Sequence, residues 1–196
     1  MSDPDFPARD DADAKAWFYL DNRTDIETWV GLRTDAIALL DRYLVALGPT
    51  FEELAEELNA EPDVDELEAG AWPRVGLRRA SWTYAGLADV SIVLQWDRAR
   101  LLKPGPNEWP FTAVLLSADQ DDEERRRQIA DALAPVRSKL KGKKAYRWPH
   151  WRYEGTPADA PGLDPDALAR TAVAGFRELW EVAAPILDEL HRDTDD

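Results

Sequence analysis

Residues 88–97 read ADVSIVLQWD, and their alternation decides the fold. Val90, Ile92, Leu94 and Trp96 fall on one side of an extended chain, with Ser91, Val93 and Gln95 on the other. That period of two is what a strand imposes. Residues 109–116, WPFTAVLL, repeat it: Trp109, Phe111, Ala113 and Leu115 oppose Thr112, Val114 and Leu116. Both sides of this second strand are largely apolar, as in a sheet covered on both faces, so helices are expected on each face. Between the two strands, Asp97-Arg98 fits a tight turn, 100–103 a segment that pairs back, and KPGPN at 103–107 a loop. Upstream, 72–79 reads as a strand led in by Pro73, and Ser81 to Tyr84 as its continuation or a hairpin arm. Downstream, 143–155 (KKAYRWPHWRYEG) is basic and aromatic, with room for one last strand.

Helical spacing takes over on either side. Thr24 and Glu27 have capping-box spacing, and Ile26, Trp29, Val30, Ile37, Leu40, Leu44 and Leu47 recur at helical intervals up to Gly48-Pro49. Thr50 and Glu53 repeat the cap and open a short helix carrying Phe51, Leu54 and Leu58, with Glu52, Glu53, Glu56 and Glu57 on its wet face. Residues 59–70 read as an acidic connector. A third helix is expected over about 120–140, kinked at Pro135, buried through Ile129, Leu133, Val136 and Leu140, and closed by Gly142. After a Pro/Gly loop at 156–163, Asp164-Pro165 opens a final helix through Leu168, Ala172, Phe176, Leu179, Val182, Ile186 and Leu190. The fold expected is α+β: a mainly antiparallel sheet of four to five strands covered by N-terminal and C-terminal helices, forming one domain over 17–191. An acidic arm (1–16) and an acidic tail (192–196) flank it.

The chain has 196 residues, 44% of them hydrophobic, with nine Trp, which is ample for a core. The absence of Cys excludes disulfides, thiol nucleophiles, Fe–S clusters and thiolate zinc sites. No apolar run is long enough for a membrane span, and the acidic N-terminus lacks a secretion signal's layout, so a soluble, cytoplasmic protein is expected. The net charge is −15, unevenly spread. Residues 1–70 carry −14 and 156–196 carry −7, whereas 71–118 and 138–155 together hold twelve bases and four acids. The overall acidity fits either a compositional or halophilic trait or a surface for a basic partner.

Little chemistry stands out. His191 lies near the end of the last helix, leaving His150 as the imidazole available for catalysis. No Ser lies in a G-x-S-x-G elbow, and the scattered glycines form no phosphate loop. The D-x-D pairs Asp11/Asp13, Asp63/Asp65 and Asp164/Asp166 do not continue into a calcium loop, so no metal or cofactor is expected. The order helix, three strands, helix, strand, with Asp97 ending one strand and Glu108 preceding another, resembles the core of the PD-(D/E)xK restriction-endonuclease-like nucleases. The resemblance implies Mg²⁺ held by Asp97 and Glu108. The chain departs from that pattern because Glu108 is followed by Trp109-Pro110, not by x-Lys. Asp13-Ala-Lys15 has the spacing but lies in the arm.

The most informative constellation is a basic and aromatic band. Its binding candidates are Arg78, Arg79, Arg98, Arg100, Lys143, Lys144, Arg147, Trp148 and Trp151, joined by Lys103, Lys139, Lys141 and Arg152. Cations hold phosphates and rings stack on bases, the pairing used by single-stranded nucleic-acid surfaces. The expectation is therefore a non-enzymatic binding or regulatory module for an anionic partner, with nucleic acid among the candidates. The alternatives are an acidic surface engaging a basic partner, as a nucleic-acid mimic or inhibitor would, or a restriction-endonuclease-like metal-dependent nuclease using Asp97 and Glu108, or its inactive relative. The opposing expectation for the band is core packing and pairing with the chain's own carboxylates, with Trp72, Trp96 and Trp109 in the core.

Overall fold

The computed structural model describes residues 14–102, 110–118, 122–154 and 164–192. The chain opens with helices α1 (Ala14–Asp21), α2 (Arg23–Val45) and α3 (Gly48–Glu57). Strands β1 (Glu61–Asp65) and β2 (Arg74–Arg78), a small hairpin β3–β4 (Thr83–Tyr84, Leu87–Ala88), and β5 (Val90–Gln95) follow. Next come β6 (Phe111–Leu116), α4 (Glu123–Ala132), α5 (Ala134–Leu140), β7 (His150–Tyr153) and the long α6 (Pro165–Arg192). The architecture is α+β. One five-stranded sheet runs β1-β2-β5-β6-β7, antiparallel at every junction.

The alternation read from 88–97 sets the two faces. Val90, Ile92 and Leu94 of β5, Val75 and Leu77 of β2, and Val114 and Leu116 of β6 point into the main core. There they meet Leu40 and Leu44 of α2, Phe51 and Leu54 of α3, and Phe176, Leu179 and Leu187 of α6. Ile129, Val136 and Leu140 of α4 and α5 join the same core. Phe51 and Phe176 meet edge to face at 4.6 Å. Trp82 and Trp96 are fully buried, and their ring N–H groups donate to Asp188 and Asp41 at 2.8 Å each. The amphipathic tips are satisfied, which is the condition for burying a Trp whole.

The expectation of helices on both faces is corrected. The second face carries its own small cluster of Val93, Phe111, Ala113 and Leu115. Among the described residues it is covered by Trp148, Trp151 and Tyr153 rather than by a helix. Large rings seal these positions from within the sheet and its last connection, so the double-sided apolarity of β6 needs no second helical layer.

Local expectations also change, the capping boxes among them: α2 opens at Arg23 after Asn22 and α3 at Gly48 after Leu47, neither with a side-chain cap hydrogen bond. Residues 61–65 are a strand, not part of a connector: β1 pairs with β2 through Glu61 opposite Arg78 and Asp65 opposite Arg74. Its signal is charge complementarity across strands rather than apolar alternation. Residues 98–100 form a 3-10 turn and do not pair back. The third helix breaks at Leu133 into α4 and α5, with Pro135 in the first turn of α5, where a missing N–H costs nothing. Lys141, at φ 53°, then closes α5, and Gly142 lies against the His150 ring. Ala14 to Ala16 belong to α1. No helix among the described residues is long and apolar enough to cross a membrane.

Candidate functional site on the bare sheet face

The second face is built by strand parity. Glu61, Asp63 and Asp65 of β1 share it with Arg74 and Arg78 of β2, Ser91 and Gln95 of β5, Leu115 of β6, and Trp151 and Tyr153 of β7. Two concavities lie on it. The first, about 490 Å³, is polar and runs from β1 across to Ser91, Ser117 and Arg147, with Asp63, Asp65, Arg74 and Arg78 in its wall. The second, about 130 Å³, is aromatic, lined by Trp72, Phe111, Trp148, Trp151 and Tyr153. Phe111 is its hub, in edge-to-face contact with Trp72, Trp148, Trp151 and Tyr153 at 5.8 to 6.5 Å. Gln95 ties the aromatic walls together: its amide donates to the Trp72 carbonyl at 3.2 Å, and its oxygen accepts the Trp148 ring N–H at 3.3 Å.

Charge within the polar concavity is graded. Arg74 bridges to Asp65 at 2.9 Å and Asp63 at 3.5 Å, and Arg78 to Glu61 at 3.2 Å. The β1 side therefore uses both arginines internally, and its three carboxylates leave it net negative. At the other side Arg147 is exposed, and its guanidinium donates to the Leu116 carbonyl at 3.2 Å. Lys143 lies over the Trp151 ring at 5.4 Å, and Lys144 beside it is exposed. The Trp151 ring N–H, shielded from solvent, has no acceptor among the described residues.

Only part of the predicted band gathers here: Arg78, Lys143, Lys144, Arg147, Trp148 and Trp151. The rest is dispersed. Arg79 pairs with Asp188 on the helix side at 3.1 Å and lies over Trp180. Arg98 is an internal staple: its Nε contacts both Asp41 oxygens at 2.9 Å, and its terminal nitrogens donate to the carbonyls of Glu66, Leu67 and Gly70. Arg100 pairs with Asp97 at 3.1 Å, and Arg152 with Glu154 and Glu178 at 2.5 Å each. Lys103, Glu108 and Trp109 lie outside the described residues, as do Asp11 and Asp13.

The catalytic candidates are engaged elsewhere. Asp97 caps the 3-10 turn, accepting the Ala99 amide at 2.9 Å. His150 is fully buried on the helix-covered face, and neither ring nitrogen has a hydrogen-bond partner among the described residues. Burial, then the neighbouring charges of Arg152 and Arg137, push its pKa down to about 4. Asp164 caps α6, and Asp166 pairs with Arg170. Among the described residues no three His, Asp or Glu side chains cluster as a metal site would require.

Sequence reasoning missed Arg74, Trp72 and Phe111, whereas Tyr153 belongs to the aromatic residues interleaved with the basic stretch 143–155. Arg74 carried a usable signal, since it shares strand parity with Arg78. Trp72 was expected in the core and is instead 39% exposed at the rim. Also missed was a buried polar centre under the β3–β4 hairpin. One Asp89 oxygen lies 2.8 to 2.9 Å from Arg125 nitrogens and 2.8 Å from His191 Nε2, all three residues being buried. Arg125 also stacks on Tyr84.

Among the described residues the geometry defines an α+β protein with helices on one face of an antiparallel sheet and a recessed polar-to-aromatic surface on the other. No family model, curated protein or solved structure matches the chain.

Proposed function

We propose that the protein is a non-enzymatic binding module that receives an anionic, ring-bearing ligand, such as a segment of single-stranded nucleic acid, on its bare sheet face. The observation that carries the reading is the adjacency of two concavities on that face, one ending at Arg147 and the other walled by five aromatic rings. A phosphate settles at Arg147, away from the β1 carboxylates. A base enters the aromatic recess, where stacking contributes about 1–3 kcal/mol per base. The overall charge of −15 repels such a ligand at long range. Salt screens that repulsion beyond about 8–10 Å, leaving the local contacts to decide.

The test is titration with a short fluorescein-labelled oligodeoxythymidylate at low salt, read by anisotropy and Trp quenching. Binding is expected, with Arg147→Glu weakening it about tenfold or more and Trp148→Leu weakening it by a similar factor without loss of secondary structure. Arg79→Glu, on the helix side, leaves it unchanged. An oligonucleotide that binds Arg147→Glu as well as the parent protein overturns the reading. So does capture of polylysine with no affinity for the oligonucleotide, which would shift the function to acidic surfaces such as Glu52, Glu53 and Glu56 on α3.

A further inference from the structure

Helix α2 carries two apolar stripes, and only one meets the core. Ile37, Leu40 and Leu44 turn inward. A neighbouring stripe of Trp29, Leu32, Ala36, Leu39 and Tyr43 faces outward. Trp29 is 68% exposed, Leu32 61%, Leu39 39% and Tyr43 41%. Single exposed apolar residues are ordinary. These five recur at intervals of three, four, three and four, the spacing that keeps one seam of a helix against a second helix. Nothing in the sheet's packing requires that spacing, because the inward stripe already supplies the contact.

We infer that the protein self-associates through this seam, two copies of α2 pairing antiparallel about a two-fold axis between residues 37 and 38. The pattern is self-complementary in that direction. Leu32 meets Tyr43 of the second copy, and Ala36 meets Leu39, small against large. On the flank, Asp35 comes opposite Arg42 of the second copy, twice by symmetry. Both are exposed, and neither has an ion-pair partner among the described residues. A parallel pairing stacks Ala36 on Ala36 and brings no opposite charges together. The area also suits a dimer. Full aromatic side chains cover about 150–250 Å² each, so Trp29 alone offers on the order of 150 Å². The exposed parts of Leu32, Leu39 and Tyr43 bring the seam to a few hundred Å² per copy, the size of patch that marks an interaction site and the low end for a reversible dimer.

Sedimentation equilibrium over a concentration series tests this directly. The parent protein is expected to reach twice the chain mass. Leu32→Glu with Leu39→Glu is expected to remain a single chain with unchanged circular dichroism, since both side chains are exposed. Asp35→Arg weakens association several-fold, and adding Arg42→Asp restores it. Direction is read by cross-linking, in a chain with no native cysteine background. At 1.5 Å rise per residue, Ala36→Cys places its two thiols about 5 Å apart along the axis and links, whereas Thr28→Cys places them about 28 Å apart and does not. A parent protein that stays a single chain at every concentration overturns the inference. A dimer whose mass survives the double Glu variant, or one that links through Thr28→Cys, does the same.

Discussion

Asp89 shows how much one carboxylate decides. Burial alone would raise its pKa, but the hydrogen bond from His191 and the charge and hydrogen bond of Arg125 outweigh burial and hold it below the ordinary carboxylate value. A depressed carboxylate contributes stability that is present above its unfolded pKa and lost as pH falls through the folded one. Asp89→Asn strands the Arg125 charge in the interior and is expected to cost about 3–5 kcal/mol in urea unfolding. Adding Arg125→Met should recover much of that loss. His150 behaves as a buried base. Its folded pKa is about 4 against an ordinary 6.5, so the unfolded chain binds the extra proton between those values. Stability is then lost as pH falls from 6.5 to 4, on the order of 3 kcal/mol. His150→Phe, with no unpartnered nitrogens to bury, is expected to flatten that part of the urea-midpoint profile; an unchanged slope refutes the assignment. Neither role was visible in the chain. Asp89 between β4 and β5, Arg125 on α4 and His191 on α6 are far apart in sequence, and only their convergence makes a polar core.

Among the elements, β2 and α6 each depend on one close approach. A Cβ on Gly76 would come within 2.5 Å of the Ile92 carbonyl oxygen and 2.9 Å of the Val93 backbone. The obstruction is main chain and cannot turn aside. Gly76→Ala is expected to cost about 2 kcal/mol or more, a fall in Tm of roughly 5 °C. Gly175 similarly leaves room on α6 for the buried Glu154, which accepts hydrogen bonds from Thr112 and Arg152 at 2.7 and 2.5 Å. β5, β6, the final helix and the Pro135 break were legible because periodicity and proline act locally. β1 was not: its residues EPDVD look like connector, and only the arginines of β2 opposite them make them a strand. The outward stripe of α2 was half legible. Trp29 falls at helical spacing, yet spacing cannot say which side of a helix the core will occupy.

For the whole molecule, a charge of −15 on one compact sheet-and-helix body means net self-repulsion. Added NaCl is expected to raise the urea midpoint by screening it, in preference to weakening the exposed pairs Arg177–Glu57 and Arg127–Glu124. A midpoint that falls with salt would show that the paired charges dominate. The basic band illustrates the same balance. Two basic stretches in sequence suggested one positive surface, but folding distributes them. Arg98 is consumed by Asp41 and three carbonyls, Arg79 by Asp188 and Arg152 by two glutamates. What stays accessible is Arg147 beside the rings, together with the exposed Lys139, Lys141, Lys143 and Lys144 around the end of α5.

The sequence by itself determined the α+β class, the antiparallel strands at its centre and the exclusion of thiol chemistry. Each of these follows from residue type and from periods of two or 3.6, which act over neighbouring positions. The tertiary structure alone decided which sheet face the helices cover, which cations keep a free charge and which stripe of α2 remains exposed. Those outcomes rest on contacts between residues tens of positions apart, and no local periodicity encodes which distant carboxylate or ring a side chain will meet.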